Sequence, residues 1–226
     1  MTRSPERTLR VALSAAVVGV PIAISMLAIF LIAPTEQTMG GVQRIMYVHI
    51  SVAWLGLLGF VIVAATGLAY LLTRHFKWDH WSQAAAELGW LCCTLTLMTG
   101  SLWASQAWNT WWTWDPRLTS AAVLWLIYGG YLLVRSNLAD PHRRARTSAV
   151  LAIVGVLDVP LVVMATRWFR GMHPVSPQME PSMRAILVTT ALSLTAFFWM
   201  LLVQRRVQLG LESSVAYMER SFDRTG

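Results

Sequence analysis

The chain has 226 residues, of which 56% are hydrophobic and only 13% charged, with a net charge of +7. Soluble globular domains carry about 25% charged residues, so the composition excludes an ordinary soluble domain and indicates an integral membrane protein. The positive excess requires no nucleic-acid partner, because a basic bias between the two sides of a membrane accounts for it.

The first candidate element is residues 11–33, a run without charge. At about 1.5 Å per helical residue it is long enough to cross a hydrocarbon layer of about 30 Å. It follows Arg3, Arg7 and Arg10 as the core of a secretory signal would, but it is longer than such a core and reads as an uncleaved anchor. Five further apolar runs lie at 46–72, 83–101, 119–134, 148–166 and 184–204. The expected architecture is all-α, a single polytopic membrane domain over 1–226 with six transmembrane helices.

Six spans place both termini on one side. Thirteen of the 18 Lys and Arg residues fall on that side; Arg44, Arg117, Arg167, Arg170 and Arg184 fall opposite. The positive-inside rule then makes the N and C termini cytoplasmic. Segments 73–82 and 135–147 become short inner loops, and the tail from Arg205 a surface helix or an irregular end. The outer loops are 34–45, 102–118 and 167–183, the last punctuated by Pro174, Pro177 and Pro181. The chain contains no Walker-type glycine loop, HExxH or paired-cysteine motif. Cys92 and Cys93 are adjacent within a span and are expected to pack. Glu87 and Asp158 are intramembrane carboxylates, and Asp158, near Pro160, is placed to bond the backbone that the proline frees.

The outer loop 102–118 carries WASQAWNTWWTWDPRL, with Trp103, Trp108, Trp111, Trp112 and Trp114 crowded ahead of Asp115 and Arg117. Two readings fit. One is an aromatic belt at the membrane interface; the other is a platform for a flat ligand. If 103–115 is a helix lying on the membrane, Trp108, Trp111, Trp112 and Asp115 share a face. His75, His80 and His142 fall in inner loops, where solvated side chains are the simple expectation. His49 and His173 fall on the outer side and flank the tryptophans. Two imidazoles can hold an iron from opposite axial positions while a macrocycle lies against aromatic rings. Arg117, with Arg44, Arg167 and Arg170, offers forked donors for propionates or simply snorkels at the interface. Asp115 is expected to orient a neighbouring arginine or a tryptophan N–H.

These residues resemble a known family. The tryptophan segment resembles the WWD signature of haem-handling proteins in cytochrome c biogenesis, and RIMYVHISVAW (44–54), TGSLWASQAWNTWWTWDPRLTS (99–120), GVLDVP (155–160) and WFRGMH (168–173) together are similar to the CcmC family. The resemblance implies that His49 and His173 ligate haem iron (haem b) at the outer face. It also implies that Trp103, Trp108, Trp111, Trp112, Trp114, Asp115 and Arg117, with Leu118 and Thr119, form the WWD haem-binding loop. The chain departs from the family pattern at Ala104 and Asn109, where glycine is usual, and at Ser51, Asp158, Phe169 and Pro174; none of these removes a ligand.

By the same resemblance the chain presents haem to the chaperone CcmE in a bacterial inner membrane, beside CcmA, CcmB and CcmD and surrounded by lipid. The resemblance implies a haem-presenting transfer scaffold, with the bond-forming residue supplied by the partner. A transmembrane haem transporter and a b-type electron-transfer subunit are the alternatives. The first needs a polar path through the spans, and the second usually ligates haem between helices inside the bilayer.

Overall fold

A computed structural model describes residues 5–35, 40–173 and 179–222. The described chain folds as α1 (Pro5–Leu27), continued by a π-helical turn over Ala28–Ile32, then α2 (Arg44–Thr73), α3 (Phe76–Ala107), α4 (Pro116–Asn137), α5 (Pro141–Val156), α6 (Asp158–Trp168) and α7 (Pro181–Phe222). The six apolar runs are almost wholly helical: the first ends one residue past the π-helical turn, and the fifth crosses from α5 into α6 at Leu157. Four stretches are long and apolar enough to cross a membrane: Gly41–Thr73, Pro116–Asn137, Pro141–Trp168 and Pro181–Glu219. The apolar helical stretch Ala16–Ile32 is shorter.

α3 is long, but threonines and serines dilute its apolar sequence. Thr94, Thr96 and Thr99 return their hydroxyls to carbonyls one turn back, at Trp90, Cys92 and Leu95 (2.9, 2.8 and 2.7 Å), which makes them compatible with an apolar environment.

The helix ends follow from local chemistry. Asp115 and Asp140 each cap a helix whose first residue is proline, accepting the backbone N–H of Leu118 and Arg143 at 2.9 and 2.6 Å. An Asp-Pro pair suits this role because the carboxylate satisfies an orphan donor and proline has none to satisfy. α2 ends where Arg74 takes a left-handed conformation (φ 58°). α5 and α6 are one rod interrupted at Leu157, close to Pro160. Asp158 begins the second half, and its Oδ2 is buried with no hydrogen-bond partner among the described residues. It therefore does not bond the freed backbone as the sequence suggests.

α2 and α3 form the central antiparallel pair, with α5, α4 and α7 around them. Phe60 of α2 stacks on Tyr128 of α4 (centroids 3.7 Å apart, planes 13° from parallel), and the Tyr128 hydroxyl reaches the Phe60 and Ala152 carbonyls, both at 3.3 Å. Leu55, Val63, Leu124 and Leu202 complete this core. Cys93 packs against it as expected, and Cys92 lies at its margin.

At the end where α2 finishes and α3 begins, charges are neutralised in pairs. Arg135 holds the buried Asp79 through two bonds (2.6 and 2.9 Å) and the half-buried Gln83 at 2.8 Å. Glu87 is held by Arg205 at 2.6 Å and by Gln83 at 3.0 Å. His75 is solvated as expected, whereas His142 bonds the Tyr70 hydroxyl (3.2 Å). The tail from Arg205 is no separate element: α7 continues unbroken to Phe222.

Candidate functional site

At the opposite end, α2, α3 and α4 diverge around a cavity of about 380 Å³. Its upper lining combines His49 from the first turns of α2, Trp103 and Trp108 from the end of α3, Trp112 from the connection, Arg117 from α4 and His173 from the segment after α6. The lower part is apolar and reaches Leu57, Phe60 and Leu124. The two outer histidines and three of the five tryptophans thus converge, although the sequence separates them by up to 124 positions (173 − 49).

The connection is not the surface helix expected over 103–115. α3 carries Trp103 and ends at Ala107; Trp108 caps it, and Asn109 takes a positive φ of 54°. Asparagine tolerates the left-handed conformation that stops a helix. The segment then runs non-helically to Asp115, where Pro116 favours extended backbone. Trp108, Trp111, Trp112 and Asp115 consequently do not share one face: Trp111 (62% exposed) and Trp114 (81%) point outward, while Trp108 and Trp112 line the cavity. Trp103 meets Trp108 edge-on (4.8 Å, 79°), and Trp108 meets His173 edge-on (5.4 Å, 74°). These rings brace the histidine in a chain of T-shaped contacts.

Among the described residues Asp115 hydrogen-bonds neither an arginine nor a tryptophan N–H, the partners expected from the sequence. One oxygen caps α4. The other accepts the backbone N–H of His173 at 3.4 Å and lies 3.9 Å from its Nδ1. Gly171 permits this closeness, since a Cβ there would fall 3.0 Å from the same oxygen. Burial, aided by the Arg117 guanidinium and opposed by the Asp115 carboxylate, holds the His173 imidazole below the usual histidine range, so it is neutral at pH 7. Its Nδ1 is buried and has no hydrogen-bond partner among the described residues.

His49 is anchored from below. Its Nδ1 lies 3.0 Å from the Thr99 hydroxyl, and its ring rests on Gly100, where a Cβ would come within 3.0 Å of Cε1. Neither Thr99 nor Gly100 is singled out by sequence reasoning. Their signal is the polar-small pair immediately before the tryptophan segment.

Of the four arginines considered for anions, only Arg117 lines the cavity; Arg167, in the last turn of α6, and Arg170, just after it, are exposed. In the outer loops 34–45 and 167–183, residues 36–39 and 174–178, including Pro174 and Pro177, lie outside the described residues. Among the described residues no group of three His, Cys, Asp or Glu side chains is placed to hold a metal. A metal at this cavity would meet two imidazoles, and its remaining ligands would have to come with it.

Long apolar helices, with a histidine- and tryptophan-lined cavity at one end of the bundle, define a multi-pass membrane protein. The chain belongs to the CcmC family, described as heme exporter protein C, whose profile matches residues 2–220. It is 36% identical over 142 residues to heme exporter protein C of Bradyrhizobium diazoefficiens, covering 63% of this chain and 54% of that one. It is 33% identical to a putative cytochrome c biosynthesis ccmC-like mitochondrial protein of Marchantia polymorpha, covering 64% and 61%. Heme exporter protein C of Haemophilus influenzae is 32% identical over 188 residues, covering 78% and 75%. The chain thus spans little more than half the length of the first of these relatives.

Proposed function

We propose that the chain binds haem in this cavity, with His49 and His173 as axial ligands, and presents it to the haem chaperone CcmE during cytochrome c maturation. The observation that carries the reading is the convergence of two imidazoles from distant segments on one tryptophan-lined, largely apolar cavity. The chemistry of the lining fits haem b: apolar walls for the macrocycle, neutral nitrogen donors for iron, and Arg117 for a propionate. Trp103, Trp108 and Trp112 act inside the site. Trp111 and Trp114, exposed on the same connection, form the surface offered to CcmE. The chain supplies binding and orientation, and forms no bond itself.

The site lies at the outer, periplasmic end of a six-span bundle in a bacterial inner membrane, with both termini cytoplasmic and CcmA, CcmB and CcmD as assembly partners. The asymmetry of basic residues supports this orientation. A transport path through the spans is disfavoured by the engagement of Glu87 with Arg205 and Gln83.

Co-purification of CcmE with this protein tests the function. Covalent haem on CcmE is expected with the native chain, and its loss is expected when His49 and His173 are both replaced by alanine. Undiminished loading by that double variant would overturn the proposal. For orientation, a single cysteine at Asn109 in a chain lacking Cys92 and Cys93 should react with an impermeant reagent from the periplasm, and one at Lys77 should not.

A further inference from the structure

Ring nitrogens of a neutral histidine are inequivalent, and a ligand site needs the bare one directed at the metal. His49 projects from α2 against α3, where it meets Thr99 and Gly100. The Thr99 hydroxyl has one hydrogen, and the backbone claims it: Oγ1 donates to the Leu95 carbonyl at 2.7 Å, with the Thr96 carbonyl at 3.3 Å as a second acceptor. Toward His49 Nδ1, 3.0 Å away, Thr99 therefore offers a lone pair. A lone pair is satisfied only by an N–H, so Nδ1 carries the hydrogen and Nε2 is bare. Gly100 adds a steric constraint. A Cβ at that position would press on Cε1 at 3.0 Å, so the missing side chain lets the ring lie against α3 within reach of Thr99.

We infer that Thr99 and Gly100 are positioning residues that fix the tautomer and tilt of His49, so that Nε2 is the atom presented to the cavity. The inference rests on the reading of His49 as an axial ligand. The relation is that of a hydrogen-bond partner behind a metal-binding histidine, where loss of the partner commonly weakens binding about 10–100-fold. A hydroxyl whose hydrogen is tied to its own helix is a fixed acceptor, which a freely rotating one is not.

The direct test reads the tautomer in the native protein. Nitrogen-15 NMR of the haem-free protein with labelled histidine, assigned by comparison with His49→Ala, should show the His49 tautomer with hydrogen on Nδ1; hydrogen on Nε2 would overturn the inference. In parallel, Thr99→Val and Thr99→Ser proteins are titrated with ferric haem and followed by absorption and electron paramagnetic resonance. Thr99→Val should bind haem about tenfold or more weakly and broaden the low-spin signal, Thr99→Ser should restore both, and Thr66→Val, which removes a back-bonded hydroxyl at the far end of α2, should change neither. Native behaviour of Thr99→Val would defeat the positioning role while leaving ligation intact. If His49→Ala itself retains the native signal, the ligand assignment fails first. The NMR result decides the tautomer even where Thr99→Val does not fold.

Discussion

Asp115 and His173, 58 positions apart, are joined twice: Oδ2 of the aspartate takes the histidine's backbone N–H at 3.4 Å and faces its Nδ1 at 3.9 Å. The same carboxylate caps α4 through its other oxygen. One side chain therefore fixes the start of a helix and the placement of a proposed ligand. Asp115→Asn keeps an oxygen that can cap, so thermal stability should change little. It removes the charge facing Nδ1 at 3.9 Å, so haem affinity should fall. Asp115→Ala should in addition lose about 1 kcal/mol of stability with the cap. Unchanged haem affinity in Asp115→Asn would show that the carboxylate serves only the helix.

The tryptophans divide into two groups. Trp108 braces His173 and lines the cavity, whereas Trp111 and Trp114 are exposed. Replacing Trp111 and Trp114 together with alanine should reduce haem transfer to CcmE several-fold and leave the optical spectrum of bound haem unaltered. Trp108→Ala should change the spectrum itself. A Trp111/Trp114 double variant that loads CcmE normally would reduce that pair to an interfacial anchor.

Acidification gives a prediction with a definite sign. His173 lies below the ordinary histidine value of about 6.5, so it stays neutral and able to ligate as pH falls to that value, and is protonated only below it. Arg117 contributes to the depression. Arg117→Gln should therefore move the protonation midpoint of His173 upward, measured by NMR on haem-free protein, and haem should be lost at a higher pH than from the native chain. A downward shift would contradict the electrostatic account.

Much of this arrangement is legible in the sequence, and the failures are local. Apolar runs mark the helices because a membrane demands internally satisfied backbone, and all six runs are almost wholly helical. The end of α3 is not legible as a fixed point: helical periodicity fits Trp108, Trp111, Trp112 and Asp115 equally well, and only the left-handed turn at Asn109 breaks it. Asp115 is visible as a residue of the tryptophan segment but not as a partner of His173, because that contact depends on how α4 packs beside the segment after α6. Thr99 is invisible for the same reason. Its side chain has meaning only once α2 lies against α3. The continuation of α7 past Arg205 is likewise concealed by the polar composition of its tail.

The buried pair at the other end makes a stability prediction independent of haem. Arg135 and Asp79 are 6% and 4% exposed and bonded at 2.6 Å. Removing one partner leaves an uncompensated buried charge, at a cost of about 3–5 kcal/mol. Arg135→Leu should unfold at clearly lower temperature in detergent, and combining it with Asp79→Leu should recover much of the loss. Near-native stability of Arg135→Leu alone would mean that water reaches the aspartate.

The central claim is that His49 and His173 are the two axial ligands of one haem. It is tested most directly by the low-spin electron paramagnetic resonance signal of the ferric haem complex in the native protein and in the His49→Ala, His173→Ala and His142→Ala variants. The account predicts a bis-imidazole signal in the native protein and in His142→Ala, and its loss in each of the other two. Retention of the bis-imidazole signal in His49→Ala or in His173→Ala would contradict it.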